Sequence, residues 1–241
     1  MFRLALASLL LPLVGCVAAD GAGDEAIYIS KALAANDDCT FNASESAPYI
    51  GHGTISVFSP LPYLIHPQLK SRITTTDASQ MDLKTIQIRG ARVNLDFKDA
   101  AIGKLVDANN KKFQTLYSAP LAPNAGSVTD TTFTLIPEGA LASIAASLGA
   151  TGEVETEVVG KLVVFGDLAG SEVTSQEFQF PVTICSNCVT AAFGLAEFPT
   201  CPVMTAGRQG NACNPYQDGV VDCCIDADNI LNCPAPIGVQ N

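Results

Sequence analysis

The sequence predicts an all-β protein: an immunoglobulin-like or fibronectin-like antiparallel β-sandwich with one short helix and a C-terminal disulfide-rich tail. Apolar and polar residues alternate strongly in 85–97, 154–165 and 173–184, as they do in half-buried strands. Stretches rich in proline and glycine separate these segments from several shorter ones. Seven of the nine cysteines lie beyond residue 184, which sets the tail apart from the rest of the chain.

The first residues have the pattern of a secretory signal. Arg3 precedes an apolar run from Leu4 to Val14, which is too short to span a bilayer because a spanning helix needs about 20 residues. The run ends in Leu13-Val14-Gly15-Cys16, which resembles the bacterial lipobox. This resemblance implies cleavage of residues 1–15 and lipid attachment to Cys16. Val17 follows where lipoproteins of the inner membrane typically carry Asp, so the resemblance favours the outer membrane.

Composition restricts the partners of the protein. The chain has 13 Lys and Arg against 24 Asp and Glu, and a formal net charge of −11. Nucleic-acid binding requires clustered basic side chains, and the sequence has no such cluster. An acidic protein is also repelled by anionic membrane surfaces, so attachment must come from the lipid. Residues 16–25 are small and acidic after the cysteine and predict a lipidated flexible tether.

The β-sandwich is expected to span residues 26–184. The strands are expected at residues 27–33, 54–57, 63–65, 85–97, 113–117, 131–136, 154–165 and 173–184. Residues 118–130, rich in Pro, Gly, Ser and Asn, predict a loop. Pro181 cannot donate to a β-ladder, so the last strand is expected at a sheet edge or with an unpaired position turned outward. The chain has no tryptophan, the core residue that marks true immunoglobulin domains.

The strand at 85–97 contains a change of phase. Ile86 and Ile88 share one phase, whereas the apolar residues from Ala91 onward take the other. The change falls at Arg89 and Gly90, which predicts a β-bulge. With the bulge, both apolar sets face one core.

One helix is predicted immediately after residue 136. Pro137 suits a first helical turn, and Glu138 complements the positive end of the helix dipole. Leu141 and Ile144 follow at helical spacing, and Gly149 is the expected stop.

The tail at residues 185–241 is too poor in large apolar residues to build its own core, so it is expected to depend on disulfides and to pack on the sandwich. With Cys16 assigned to lipid, eight cysteines remain, an even number in an oxidising compartment. These disulfide candidates are Cys39, Cys185, Cys188, Cys201, Cys213, Cys223, Cys224 and Cys233. Their pairing stays open at this point, although a bridge from Cys39 would tie the tail to the sandwich.

A wider resemblance covers roughly the last third of the chain. Residues 173–185, the Cys185-Ser-Asn-Cys188 pair and the segment from Cys213 to Cys224 resemble uncharacterised cysteine-rich lipoproteins of the myxobacterial type. The resemblance implies an envelope location and a two-part layout, and it implies no activity.

The Cys185-x-x-Cys188 spacing also occurs in redox-active pairs and in half zinc sites. The pair follows an extended strand here, whereas the redox motif lies at a helix N-terminus. The two histidines, His52 and His66, are not spaced with a cysteine as ligands. A structural disulfide is therefore favoured over redox catalysis and over zinc.

An acidic stretch lies among the tail cysteines and raises the possibility of a Ca²⁺ site. Its carboxylates are Asp218, Asp222, Asp226 and Asp228, with Asn229 beside them. The stretch departs from the EF-hand pattern, so solvated acids are favoured and no cofactor is expected.

No catalytic residues are predicted. The sequence has no G-x-S-x-G motif; His52 lies between two glycines and His66 precedes Pro67. Glu155 and Glu157 lie two apart, as expected for one wet sheet face, and give only weak support for a glycosidase.

The expected function is non-enzymatic. The protein is predicted to act at the outer membrane as a lipid-anchored interaction, adhesion or structural module, with envelope proteins, surface proteins or polysaccharide as partners and no nucleic acid. The alternative is an accessory lipoprotein that binds Ca²⁺ or carbohydrate. An envelope hydrolase or redox enzyme is the third possibility.

Overall fold

The computed structural model describes residues 25–124, 127–128, 131–148, 153–186, 188–193, 210–211, 213–225 and 231–232. Segment 1–24, with the expected signal, Cys16 and most of the tether, lies outside the described residues. The strands are β1 Glu25–Leu33, β2 Tyr49–Ile50, β3 Gly53–Ser56, β4 Tyr63–Ile65, β5 Pro67–Ser71, β6 Ile86–Phe97, β7 Lys112–Leu121, β8 Ser127–Val128, β9 Phe133–Ile136, β10 Glu155–Leu168, β11 Ser171–Ser175, β12 Phe178–Cys185, β13 Thr190–Phe193, β14 Val221–Ile225 and β15 Leu231–Asn232. The helices are α1 Ala100–Leu105, α2 Ala108–Lys111 and α3 Glu138–Leu148, with short 3-10 turns at Ala78–Gln80 and Asp82–Lys84.

The prediction of an all-β protein is confirmed, and the largest element is one curled sheet of ten strands. Strand β10 is its axis: β6 pairs along one edge, and β12 followed by β11 pairs along the other. Strand β11 continues through β1 and β5 to β8, while β7 extends the sheet beyond β6. The sheet is curled, so that β7 at one end approaches β5 and β8 at the other end. The apolar side chains of the sheet pack in one core together with those of the β4–β9 pair and α3.

Apolar alternation places the core as predicted. In β10, the buried side chains include Val158, Leu162 and Val164. In β12, Phe180 and Val182 are buried against the same core. Full burial of such a side chain contributes about 1.5–3 kcal/mol, so the facing strands supply much of the stabilisation.

The predicted β-bulge is confirmed. The register between β6 and β10 pairs Phe165 with Gly90 and Gly166 with Ile88, which leaves Arg89 as the extra residue. Ile88 and Ala91 are both fully buried. The bulge therefore brings the two apolar phases of β6 onto one core.

The predicted helix is confirmed as α3, in which Leu141 and Ile144 face the core. The prediction of a single helix is wrong, because the short helices α1 and α2 precede it. The expected stop of α3 at Gly149 lies outside the described residues. None of the helices in the described part of the chain has the length and the apolar character needed to cross a bilayer.

The immunoglobulin-like or fibronectin-like pairing is not confirmed. Immunoglobulin-type sandwiches consist of two antiparallel sheets. Here ten strands share one sheet, and two of its pairs, β1 with β11 and β3 with β12, are parallel. The remaining described strands form a β4–β9 pair and a β13–β14–β15 sheet. Alternation reveals which side of a strand is buried, but it does not reveal which strand lies beside it.

The loop predicted at 118–130 differs from the structure in detail, whereas the unpaired position expected at Pro181 is present. The loop expected at 118–130 contains the end of β7 and the short strand β8. Pro120 is tolerated because β7 pairs only with β6 and so lies at an edge. Pro181 lies in β12 between two partner strands, but β3 begins its pairing only at Val182. The position of Pro181 therefore remains unpaired on that side.

Candidate functional site

The structure has a pocket of about 400 Å³ at the junction of the sheet and the tail. One rim is the loop 34–41 that follows β1, and the other consists of the described tail residues 210–211 and 213–218, here called segment 210–218. Leu33, Ile50 and Leu64 contribute apolar walls. The volume falls in the range of small-molecule sites, so the pocket is the candidate functional site.

A disulfide joins the two rims. Cys39 and Cys213 are bonded, with a Cα–Cα distance of 4.9 Å and a sequence separation of 174 residues. The bridge from Cys39 that the sequence suggested therefore ends at Cys213. We call loop 34–41, segment 210–218 and this disulfide the clamp.

The tail segment docks on the free edge of β3. The Ser56 amide donates to the Tyr216 carbonyl at 3.0 Å, and the Asp218 amide donates to the Thr54 carbonyl at 2.8 Å. The Gln217 side chain continues this pairing onto β4: its Oε1 accepts from the Leu64 amide at 2.9 Å and its Nε2 donates to the Leu64 carbonyl at 2.7 Å. An edge that would otherwise be open is thereby covered.

The Asp218 carboxylate anchors this segment from inside. Its Oδ1 accepts from the Thr54 amide at 2.8 Å, and its Oδ2 accepts from the Tyr63 hydroxyl at 2.7 Å and from Gln217 Nε2 at 3.0 Å. Tyr63 is fully buried. The Tyr63 ring fits against β3 because Gly53 has no side chain. A Cβ at residue 53 would lie only 2.6 Å from Cζ of the tyrosine ring.

Burial sets the electrostatics of this pair. It raises the pKa of the Asp218 carboxyl above its usual value, although the hydrogen bonds from Tyr63, Thr54 and Gln217 oppose this shift. Burial and the neighbouring Asp218 raise the pKa of the Tyr63 hydroxyl well above its usual value. The tyrosine is therefore a neutral hydrogen-bond donor at physiological pH.

His66 lies in the wall of the same pocket and is only 9% exposed. Burial lowers the pKa of its ring from 6.5 to about 4, so the imidazole is neutral near pH 7. The Phe41 ring stacks on it with a centroid distance of 3.5 Å, and Nδ1 lies 3.0 Å from the Thr132 hydroxyl. The ring is packed and hydrogen-bonded as a structural histidine.

His52 does not join a catalytic relay with Asp218. Its Nε2 lies 3.1 Å from the Thr183 hydroxyl on β12. The Asp218 oxygens instead accept from Thr54, Tyr63 and Gln217. The geometry among these residues is that of a structural network.

The predicted Ca²⁺ candidates are not assembled in the described part of the chain. Asp218 belongs to the network with Tyr63, and Asp222 is 5% exposed within β14. Asp226, Asp228 and Asn229 lie outside the described residues. Among the described residues, no group of three or more His, Cys, Asp or Glu side chains could hold a metal ion.

The other candidate cysteines lie away from the pocket or outside the described residues. Cys185 is bonded to Cys188 at the end of β12, with a Cα–Cα distance of 5.8 Å. Cys223 is also disulfide-bonded, and Cys224 belongs to the backbone of β14. Cys201 and Cys233 lie outside the described residues.

The two glutamates that gave weak support for a glycosidase have separate surroundings. Glu155 lies opposite Cys185 in the β10–β12 register. Glu157 forms an ion pair with Lys98. They share one face of β10, and Lys98 engages the Glu157 carboxylate, as expected for a wet sheet face.

Backbone strain marks the same pocket. Cys39 and Asp218 have φ angles of 58° and 52°, in the left-handed region that costs a residue with a side chain roughly 1–2 kcal/mol. The other non-glycine residues with positive φ in the described part of the chain are Asn124 and Ala169. Such strain persists where surrounding contacts hold it, and it is often found at binding sites.

Sequence reasoning missed Tyr63, Gln217 and Phe41 as parts of a site. The one local signal was Gly53, because a glycine beside a strand can mark the close approach of another group. The partners lie 155 residues apart in the case of Tyr63 and Asp218, so spacing could not reveal them. No protein-family model, no curated protein and no solved structure matches this chain.

Proposed function

We propose that this protein is a lipid-anchored protein of the bacterial cell envelope with a non-enzymatic binding role. The observation that carries the proposal is Leu13-Val14-Gly15-Cys16 at the end of a secretory-type apolar run. Lipid on Cys16 would hold the protein at the outer membrane, with an envelope protein or surface polysaccharide as the partner.

The distance between the anchor and the first strand supports this arrangement. Strand β1 begins at Glu25, so residues 16–24 would connect it to the lipid. Nine residues can span at most about 30 Å when extended. The binding part would therefore stay close to the membrane surface.

The cysteines support an oxidising compartment. Two disulfides are formed between described residues, Cys39 with Cys213 and Cys185 with Cys188. Disulfides of this kind persist in secreted and periplasmic proteins. Beyond the all-β class, we propose that the fold is a β-sandwich with a tail, from residue 185 onward, that is stabilised by disulfides.

The pocket supports binding over catalysis. Two of its polar side chains, Gln217 and Asp218, are used in hydrogen bonds that hold the tail on β3 and β4. A general base needs a free position beside a nucleophile. The pocket therefore favours the accessory-protein alternative, in which the anchored protein presents a ligand site.

The test is Cys16→Ser in the full chain, expressed in a Gram-negative host and fed labelled palmitate. We expect the wild-type protein to carry label and to sediment with the outer membrane, and the variant to lose both properties. Val17→Asp is the matched control, because it should keep the label while moving the protein to the inner membrane. Continued membrane attachment of the Cys16→Ser protein would refute the anchor.

A further inference from the structure

The charged groups that line the pocket are acidic. Asp37 lies on the loop rim and Asp218 on the tail rim, and no Lys or Arg is among the described lining residues. The nearby Lys31 uses its ammonium group on the carbonyls of Glu45 and Ala47, each at 2.9 Å. The pocket is thus negative, which disfavours an anionic ligand.

The remaining walls suit an apolar group. Leu33, Ile50 and Leu64 line the pocket together with the half-buried Phe41 ring. The neutral His66 ring lies behind Phe41 and adds no positive charge. An aromatic face attracts an ammonium group through its quadrupole.

The side-chain amides of the pocket already take part in hydrogen bonds within the protein. The Asn36 side chain donates to the Thr40 hydroxyl at 3.1 Å, and Asn211 Oδ1 accepts from the Cys213 amide at 2.8 Å. Gln217 uses both ends of its amide on Leu64. A sugar needs several free donors and acceptors, whereas a cation needs negative charge. Asp37 supplies that charge, since its carboxylate has no hydrogen bond or ion pair with the described residues.

We propose that this pocket binds a small organic cation, an ammonium or alkylated ammonium group on a short apolar stem. Asp37 and Asp218 supply the countercharge, and Phe41 supplies the aromatic wall. This inference deepens the binding role proposed above and rests on it. The clamp prepares the site because the Cys39–Cys213 disulfide fixes both rims before a ligand arrives.

The test is calorimetric titration of the full-length protein in detergent micelles, with empty micelles as the blank. The probes are n-butylammonium, the neutral n-butanol and the anionic butyrate, which share an apolar stem and differ in charge. We expect n-butylammonium to bind about tenfold more tightly than n-butanol, since one such charge contact is worth about 1.4 kcal/mol, and butyrate not to bind.

Variants test which residues of the pocket bind the cation. Asp37→Asn should weaken n-butylammonium binding about fivefold without disturbing the fold, because this carboxylate is exposed. Asp82→Asn is the matched control, an exposed acid in a 3-10 turn outside the pocket, and it should leave the affinity unchanged. Phe41→Leu keeps an apolar side chain without the aromatic face and should weaken the cation more than n-butanol.

Equal affinity for n-butylammonium and n-butanol would overturn the inference, as would the absence of binding. It would also be overturned if Asp37→Asn had no effect or if Asp82→Asn had the same effect. These readouts do not depend on lipid. A protein that carries palmitate on Cys16 but binds no cation overturns this inference alone and leaves the proposed function intact.

Discussion

The sheet around β10 and the clamp are held together in different ways. In the sheet, Val158, Leu162 and Val164 are fully excluded from water, and strands pair along both edges of β10. In the clamp, a disulfide and hydrogen bonds to the Asp218 and Gln217 side chains hold segments that contribute few apolar groups. The difference shows that burial stabilises the body of the protein, whereas specific links shape its pocket.

The largest effect on stability is expected from removing the Cys39–Cys213 disulfide, which joins the two rims of the pocket. The double variant Cys39→Ser, Cys213→Ser should lose about 4 kcal/mol of unfolding free energy, because the disulfide closes a loop with a separation of 174 residues. Urea denaturation measures the loss. Hydrogen exchange should show faster exchange in loop 34–41 and segment 210–218 while β10 stays protected. Equal loss of protection in both regions would contradict the separation between sheet and clamp.

Truncation of a core side chain should instead increase hydrogen exchange in the sheet. Leu162→Ala removes a fully buried side chain from β10 and should cost about 3 kcal/mol. Because the sheet is one cooperative unit, exchange should rise throughout its strands. Leu83→Ala is the control, since that side chain is 70% exposed and its loss should change stability by less than about 0.5 kcal/mol. A similar loss in both variants would be inconsistent with a core centred on β10.

The third prediction concerns the pH dependence of stability, because the pocket wall contains a buried histidine. Burial holds the pKa of His66 at about 4 against 6.5. The folded state therefore resists protonation, and stability present above pH 6.5 is lost as the pH falls toward 4, by up to about 3 kcal/mol. His66→Gln should flatten this acid loss in denaturation curves recorded between pH 7 and 4.

Asp218 affects the pH dependence of stability in the opposite direction to His66. Its pKa is raised by burial, so the stability linked to it is present below the usual value of 3.8 and decreases as the pH rises through the folded value. The wild-type slope is the balance of the two groups, and His66→Gln should expose the contribution of Asp218. The control is Leu83→Ala, an exposed side chain that carries no titratable group and whose loss should leave the slope in place. A slope that His66→Gln leaves unchanged would mean that the ring has the same pKa in the folded and unfolded states.

The strands of the sheet were predictable because their signal is local. The alternation in β10 and β12, the phase change at Arg89 and the helical spacing of α3 each lie within about a dozen residues. Each pattern therefore shows which side chains face inward. It does not specify the partner strand, which explains why the parallel pairs were not foreseen.

The clamp could not be predicted in the same way. Asp218 was interpreted as a solvated acid or a weak Ca²⁺ candidate because the sequence shows many acids nearby. In the structure its carboxylate is bonded to Tyr63 and Thr54, residues far away along the chain. A carboxylate that is buried and one that is hydrated look identical in a sequence, and only their partners distinguish them. Besides Gly53, Cys39 gave a usable hint, because it was isolated from the other cysteines.

The Cys39–Cys213 bond also has a consequence for the synthesis of the protein. A chain emerges with its N-terminal part first, so the Cys39 thiol must wait for the 174 residues that separate it from its partner. At about 5–20 residues per second this takes roughly 10–35 s. During that time β1 and β6 can already be present, while the pocket has only one of its two rims. The binding site is therefore among the last parts of the protein to form, and a chain that stops before Cys213 would contain most of the sheet strands but no clamp.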